Sequence, residues 1–173
     1  MTLRSIVLSL FAVFALVACG PSAAQLQTAR TARYQASASE VFQAGVAALK
    51  ANNYKLKSAD AVTARALAEE RWYEVDGTTM SRDSEGRPQM TNAGGILFAV
   101  EVGVVADGDA FRVEVIPHVW RKRDGSSLPE PIKPGAVEMP GWVAGKLDNL
   151  HLSVYEALKA KAAAPTAAPT PGA

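Results

Sequence analysis

From Ile96 to Val115 apolar residues recur at every second position, and this stretch constrains the fold more than any other. Side chains of an extended chain alternate between two faces. Ile96, Phe98, Val100, Val102 and Val104 therefore share one face, and Phe111, Val113 and Val115 repeat the pattern after Asp107-Gly108. Asp-Gly is a favoured two-residue hairpin loop. With that loop, Val104 faces Phe111, Val102 faces Val113, Val100 faces Val115 and Phe98 faces Pro117. A slip by one residue would set Val104 against Arg112 and break the apolar face, so the alternation pins the pairing. On the other face Glu101 meets Glu114, an unfavourable pair that Arg112 relieves diagonally. Pro117 has no N–H to give to a ladder, which places it at an edge or bulge.

A long hairpin with one apolar face needs a cover, and two helices are available. Ser37 with Glu40 forms a capping box, in which hydroxyl and carboxylate each satisfy an orphan backbone donor. Val41, Phe42, Gly45, Val46 and Leu49 then recur on one helical face, and Asn52-Asn53 supplies the left-handed stop. After Pro140-Gly141-Trp142 a second helix carries Val143, Leu147, Leu150, Val154 and Leu158 as one stripe. Arg33 to Ala36 reads as a short first strand, and Tyr54 to Ser58 alternates as a half-buried strand before a turn at Asp60 to Thr63. The segment Ala64 to Glu74 is ambiguous: its Ala-Arg-Ala-Leu-Ala-Glu-Glu-Arg run has strong helix propensity, yet it also alternates. Asp76-Gly77 and Asp83-Ser84-Glu85-Gly86-Arg87-Pro88 are turn chemistry, Gly94-Gly95 a strand entry, and 124–141 a Pro-rich loop without apolar period.

The N-terminal end has a different character. Arg4 precedes an unbroken apolar or hydroxylic run from Ser5 to Ala18, the layout of a secretory signal and shorter than the ~20 apolar residues of a spanning helix. It closes on Leu16-Val17-Ala18-Cys19, with Cys19 the one cysteine of the chain. This resembles the lipobox of bacterial lipoproteins. The resemblance implies cleavage before Cys19, a diacylglycerol on its thiol and an acyl chain on its amine, anchoring a mature protein that has no transmembrane span. More than one chain is needed, since a single acyl chain binds membranes only marginally. Gly20, rather than aspartate, in the next position favours the outer membrane, periplasmic side. A buried or redox-active thiol is the competing account, but no second cysteine stands by to pair with it. On this basis 1–18 is the signal peptide, 19–31 a lipidated flexible tether of small and polar residues, 32–161 the periplasmic domain, and 162–173 a disordered Ala-Pro-Thr tail. Loss of Arg4 takes the 18 Lys+Arg down by one, level with the 17 Asp+Glu, so charge gives no case for nucleic acid.

The order strand, helix, strands, hairpin, helix resembles BamC-like helix-grip domains, which belong to lipoproteins accessory to the outer-membrane β-barrel assembly machine. The residues that carry it are the helix end Asn53-Tyr54-Lys55-Leu56, an Asp-containing turn, and Arg71-Trp72-Tyr73. One such domain fits between Tyr34 and Lys161. The resemblance implies that Ala64 to Glu74 is a strand. The expected fold is thus α+β, a single antiparallel sheet of about four to five strands with two packed helices, in the order β-α-β-β-β-β-α.

Motifs for chemistry are missing from the sequence. His118 and His151 stand in no metal-ligand spacing, and there is no nucleophile elbow or phosphate loop. Neither a cofactor nor a metal site is expected, and the chain reads as non-enzymatic. The cluster His118, Trp120, Arg121, Lys122 and Arg123, followed by the Pro-rich loop and Trp142, has the composition of a contact surface, Trp beside Arg. The bland account is that Trp120 caps the core and the cations guard a sheet edge. Two functions are consistent with these residues: a lipid-anchored domain that binds another envelope component, with outer-membrane assembly the process the resemblance implies, or a lipoprotein with a small-molecule or lipid pocket between helix and sheet.

Overall fold

A computed structural model describes residues 20–90 and 94–163. Cys19, the signal segment and 164–173 lie outside the described residues. The elements are α1 (Ala23–Thr31), α2 (Ala38–Ala51), β1 (Leu56–Asp60), β2 (Arg65–Ala68), β3 (Arg71–Tyr73), β4 (Gly95–Asp107), β5 (Ala110–Lys122), β6 (Glu130–Ile132) and α3 (Gly141–Leu158), closed by a 3-10 turn at Lys159–Lys161. All strands pair antiparallel in one sheet, in the order β1-β2-β4-β5-β6, with β3 beside β4 in line with β2. The fold is α+β with a single antiparallel sheet, of six strands.

The sheet has one covered face. Phe98, Val100 and Val102 of β4, Val113 and Val119 of β5, and Ala66 and Ala68 of β2 bury against Val41, Phe42 and Leu49 of α2 and Val143, Leu150 and Val154 of α3. Close approach is built into this layer: a Cβ added at Gly45 of α2 would lie 2.7 Å from Val102 Cγ1. Helix α2 starts and stops as its sequence directs. Ser37 and Glu40 form the capping box, and Asn53 ends α2 at φ 62°.

The hairpin differs from expectation by two residues of register. Val104 pairs with Val113, Val102 with Val115 and Val100 with Pro117, while Asp107 pairs with Ala110. The loop is therefore Gly108-Asp109, not Asp107-Gly108. Gly108 takes φ 65° as the first loop residue, the position where a type II′ turn wants glycine. A shift of two keeps every side chain on its face, which is why alternation alone could not exclude it. It also parts Glu101 from Glu114: Glu101 now faces Ile116, and Arg112 bonds Glu114 along its own strand at 2.8 Å. Pro117 sits where β6, which covers only Val119 to Arg121, leaves the outer side of β5 open.

Within Ala64 to Glu74 the chain forms strand at Arg65–Ala68 and Arg71–Tyr73, as the resemblance implied and against its local propensity, while Ala64 is a turn residue at φ 51°. The segment is two strands, not one. β2 pairs Leu67 with Glu101, whereas β3 pairs Arg71 with Phe98, so Glu69-Glu70 contributes one residue more than β4 does. That bulge reverses which parity faces the core: Ala66 and Ala68 are buried before it, Tyr73 after it.

Four expectations need correction. The supposed flexible tether contains α1, because Ser22 and Gln25 form a second capping box, with bonds of 3.2 and 2.8 Å, and Arg30 grips Asp148 of α3 through Nε and Nη2 at 2.7 and 2.8 Å. Arg33 to Ala36 is no strand but a single bridging residue, Tyr34, paired with Phe111 and with Ala162. That bridge also draws in the first residues of the expected tail, since Ala163 N donates to Arg33 O at 2.7 Å. Finally, the Pro-rich loop contributes β6, which pairs Trp120 with Pro131.

Candidate contact surface

The face of the sheet away from the helices carries apolar residues that are out of phase with the core. Following the register across four strands, Trp72 pairs with Leu97, Leu97 with Trp120, and Trp120 with Pro131, which makes one apolar row. None of these four is fully buried. The next row sets His118 opposite Ala99, and the one beyond it runs Leu67, Glu101, Ile116. His118 stacks on Trp120 with ring centroids 6.2 Å apart and planes 19° from parallel. Its Nε2 lies 3.3 Å from Glu101 Oε2, so the tautomer protonated there donates to the carboxylate. Glu101 also accepts from Arg65, and this bond first, with His118 in support, holds its carboxyl below the usual range. Lys57 does the same for Glu70. A cleft of about 500 Å³ opens beside Trp72, lined among others by Lys55, Glu70, Arg71, Met80 and Arg82.

The candidate cluster divides along the alternation. His118, Trp120 and Lys122 belong to the open face. Arg121 shares its parity with buried Val119, and with Arg123 it lines a second cleft of about 270 Å³ together with Glu130, Lys133 and Glu138. Trp142 is not part of either. It packs on Tyr73 and Phe98 with centroids 5.0 and 5.7 Å away, its Nε1 donates to Val75 O at 3.0 Å, and a Cβ at Gly77, which holds φ 93°, would meet its ring at 2.6 Å. The indole is thus a staple between the start of α3 and the β3 turn, and it leaves the candidate surface. Lys146, one turn on, lies 4.5 Å from the Tyr73 ring centre, and burial lowers its pKa.

The local sequence does not mark Trp72, Leu97 or Pro131 as contact residues. A signal for one of them exists: Leu97, like Trp120, is apolar at a position where the hairpin phase calls for a polar residue, the mark of a strand with two apolar faces. For Trp72 the bulge at Glu69-Glu70 hides the phase.

The row can offer stacking and apolar contact, and its charged flank can orient a partner. Among the described residues no group of three or more His, Cys, Asp or Glu is placed to hold a metal ion. No helix among them is long and apolar enough to cross a membrane. The chain matches no protein-family model, and no curated protein is significantly similar to it in sequence.

Proposed function

We propose that the protein is a non-enzymatic, lipid-anchored component of the bacterial envelope whose sheet binds another envelope component through its open face, in outer-membrane assembly or a neighbouring process. The observation that carries this is the row Trp72, Leu97, Trp120 and Pro131 on a face that no helix covers. Interface hot spots are enriched in Trp, Tyr and Arg, and on this face Trp120 stands beside His118 and the ion-paired Glu101. The anchor is Cys19, from the lipobox pattern. Packing favours surface contact over a pocket between helix and sheet, because at Gly45 α2 already touches Val102 without room for a methyl group.

A photo-crosslinking residue introduced at Trp120 in the lipidated protein, in its own membranes, tests the surface. The expected result is a discrete envelope product at Trp120 and none from the same probe at Val62, which is 95% exposed on the β1–β2 turn. Equal or absent capture from both positions would count against the surface. Cys19→Ser tests the anchor separately, by loss of labelled palmitate.

A further inference from the structure

We propose that the end of the domain opposite the hairpin tip rests on the bilayer, with Leu128 and Val137 entering its interface as a membrane contact additional to the lipid. The placement rests on the Cys19 anchor; the contact itself rests on where the apolar side chains lie.

Among the described residues five large apolar side chains are exposed: Val62, Val75, Met90, Leu128 and Val137. Four gather at one end. Val75 follows β3 where Tyr73 pairs with Ile96, at the start of β4. Met90 Sδ reaches Gly95, the first residue of β4. Leu128 lies beyond Lys122, the last residue of β5. Val137 falls between Ala136 and Glu138, which share a cleft with Arg121 and Arg123. Val62 alone sits toward the hairpin tip, in the turn before Arg65, which pairs with Gly103.

Two of these side chains stand on hydrogen-bonded turns. Ser126 Oγ donates to Leu128 O at 2.7 Å and Ser126 N to Arg123 O at 3.1 Å. Val137, 100% exposed, stands on a turn in which Met139 N donates to Ala136 O at 3.0 Å. Neither has a packing reason to point out, and apolar tips beside cations suit the headgroup boundary of a bilayer.

The chain leading to the anchor arrives at the same end. Tyr34, bonded to Phe111 and Ala162, fixes the exit of α1 near the hairpin tip, and Arg30 fixes it against Asp148 midway along α3. α1 packs against α3 and rises about 12 Å from Ser22 to Arg30; with its exit held toward the hairpin tip, we place its start toward the loop end. From Ser22 to Cys19 the chain spans at most about 11 Å. On that placement a docked α1 keeps the acyl chains on the side of the domain where Leu128 and Val137 lie, which a free tether of 13 residues would not. Arg121, Lys122, Arg123 and Lys133 lie here, but so do Asp124, Glu130 and Glu138. The surplus is small, and the contact should depend little on salt.

The test uses lipidated V137C, L128C and V62C proteins, each carrying an environment-sensitive nitrobenzoxadiazole dye on the introduced thiol, in phosphatidylethanolamine–phosphatidylglycerol vesicles. Expected are a blue-shifted emission and quenching by lipid-borne nitroxide at 137 and 128, and neither at 62. Emission at 137 and 128 as water-exposed as at 62, on a lipidated chain, overturns the bilayer contact alone. A second dye per chain reports an unmodified Cys19 and overturns the anchor, and with it the placement.

Discussion

The two faces of the sheet are made from neighbouring residues of the same strands, yet they obey different rules. On the covered face Phe98 and Val119 are 1% and 3% exposed and meet side chains from two helices. One position along, Leu97 and Trp120 pair with each other on the open face and remain half-buried. Residues of the first kind are fixed by volume, since a lost methylene leaves a cavity. Those of the second kind lie on a side of the sheet that no helix covers, so truncation there should spare the fold. An apolar side chain on such a face calls for another explanation, and here it is contact.

Substitutions can break this contrast, and the largest effect is expected at Phe98. It touches Tyr54, Tyr73 and Trp142, and Phe98→Ala should cost about 3–5 kcal/mol in chemical denaturation. Trp142→Ala should follow at about 2–3 kcal/mol, because the indole is only partly buried but its loss also orphans the Val75 carbonyl. A Trp142→Ala protein of unaltered stability would return that residue to the contact surface.

The two capping boxes sharpen the same contrast on the helices. Ser37→Ala, at the core helix α2, should lower global stability by about 1 kcal/mol. Ser22→Ala acts on α1, which packs mainly against α3, with Ala29 its one buried side chain. Its effect should be local: faster hydrogen exchange from Gln25 to Ala29 with an unchanged melting temperature.

The smallest expected effect concerns pH. His151, among α3 residues beside Asp148 and Arg30, has its pKa pushed below the ordinary 6.5 by burial first. The unfolded chain then binds a proton that the folded one resists, so this group's contribution is present above about pH 6.5 and lost as pH falls toward the lowered value. In His151→Gln the drop in melting temperature between about pH 7 and about pH 5 should shrink. An identical drop in both proteins would remove His151 from the account.

Much of the covered face was legible because periodicity reports burial directly. Val143 to Leu158 and the Ile96 to Val104 alternation needed no tertiary knowledge. Three features did not yield to the same approach. The hairpin register turned on Gly108, whose left-handed φ selects the turn, and both registers satisfy the alternation. The Glu69-Glu70 bulge inserts one residue, and only pairing with β4 shows which parity of β3 is inside. The helix α1 has a weak apolar face, but its Ser22–Gln25 box is the same signal as Ser37–Glu40 and was readable. Of the candidate surface, His118 and Trp120 kept their place, Arg121 fell to the other face, and Trp142 turned inward; contiguity across strands is a property of register, which the local cluster does not contain.

The most direct test of the central claim compares two tryptophans that lie on opposite sides of the sheet. Trp120→Ala and Trp142→Ala are each followed by thermal unfolding and by crosslinked capture from membranes through the native anchor. The expected outcome is that Trp120→Ala melts within a few degrees of wild type and loses its partner, a shift worth no more than about 1 kcal/mol, while Trp142→Ala melts lower. If Trp120→Ala unfolds as readily as Trp142→Ala, or stays folded and keeps every partner, the open face is not the contact surface.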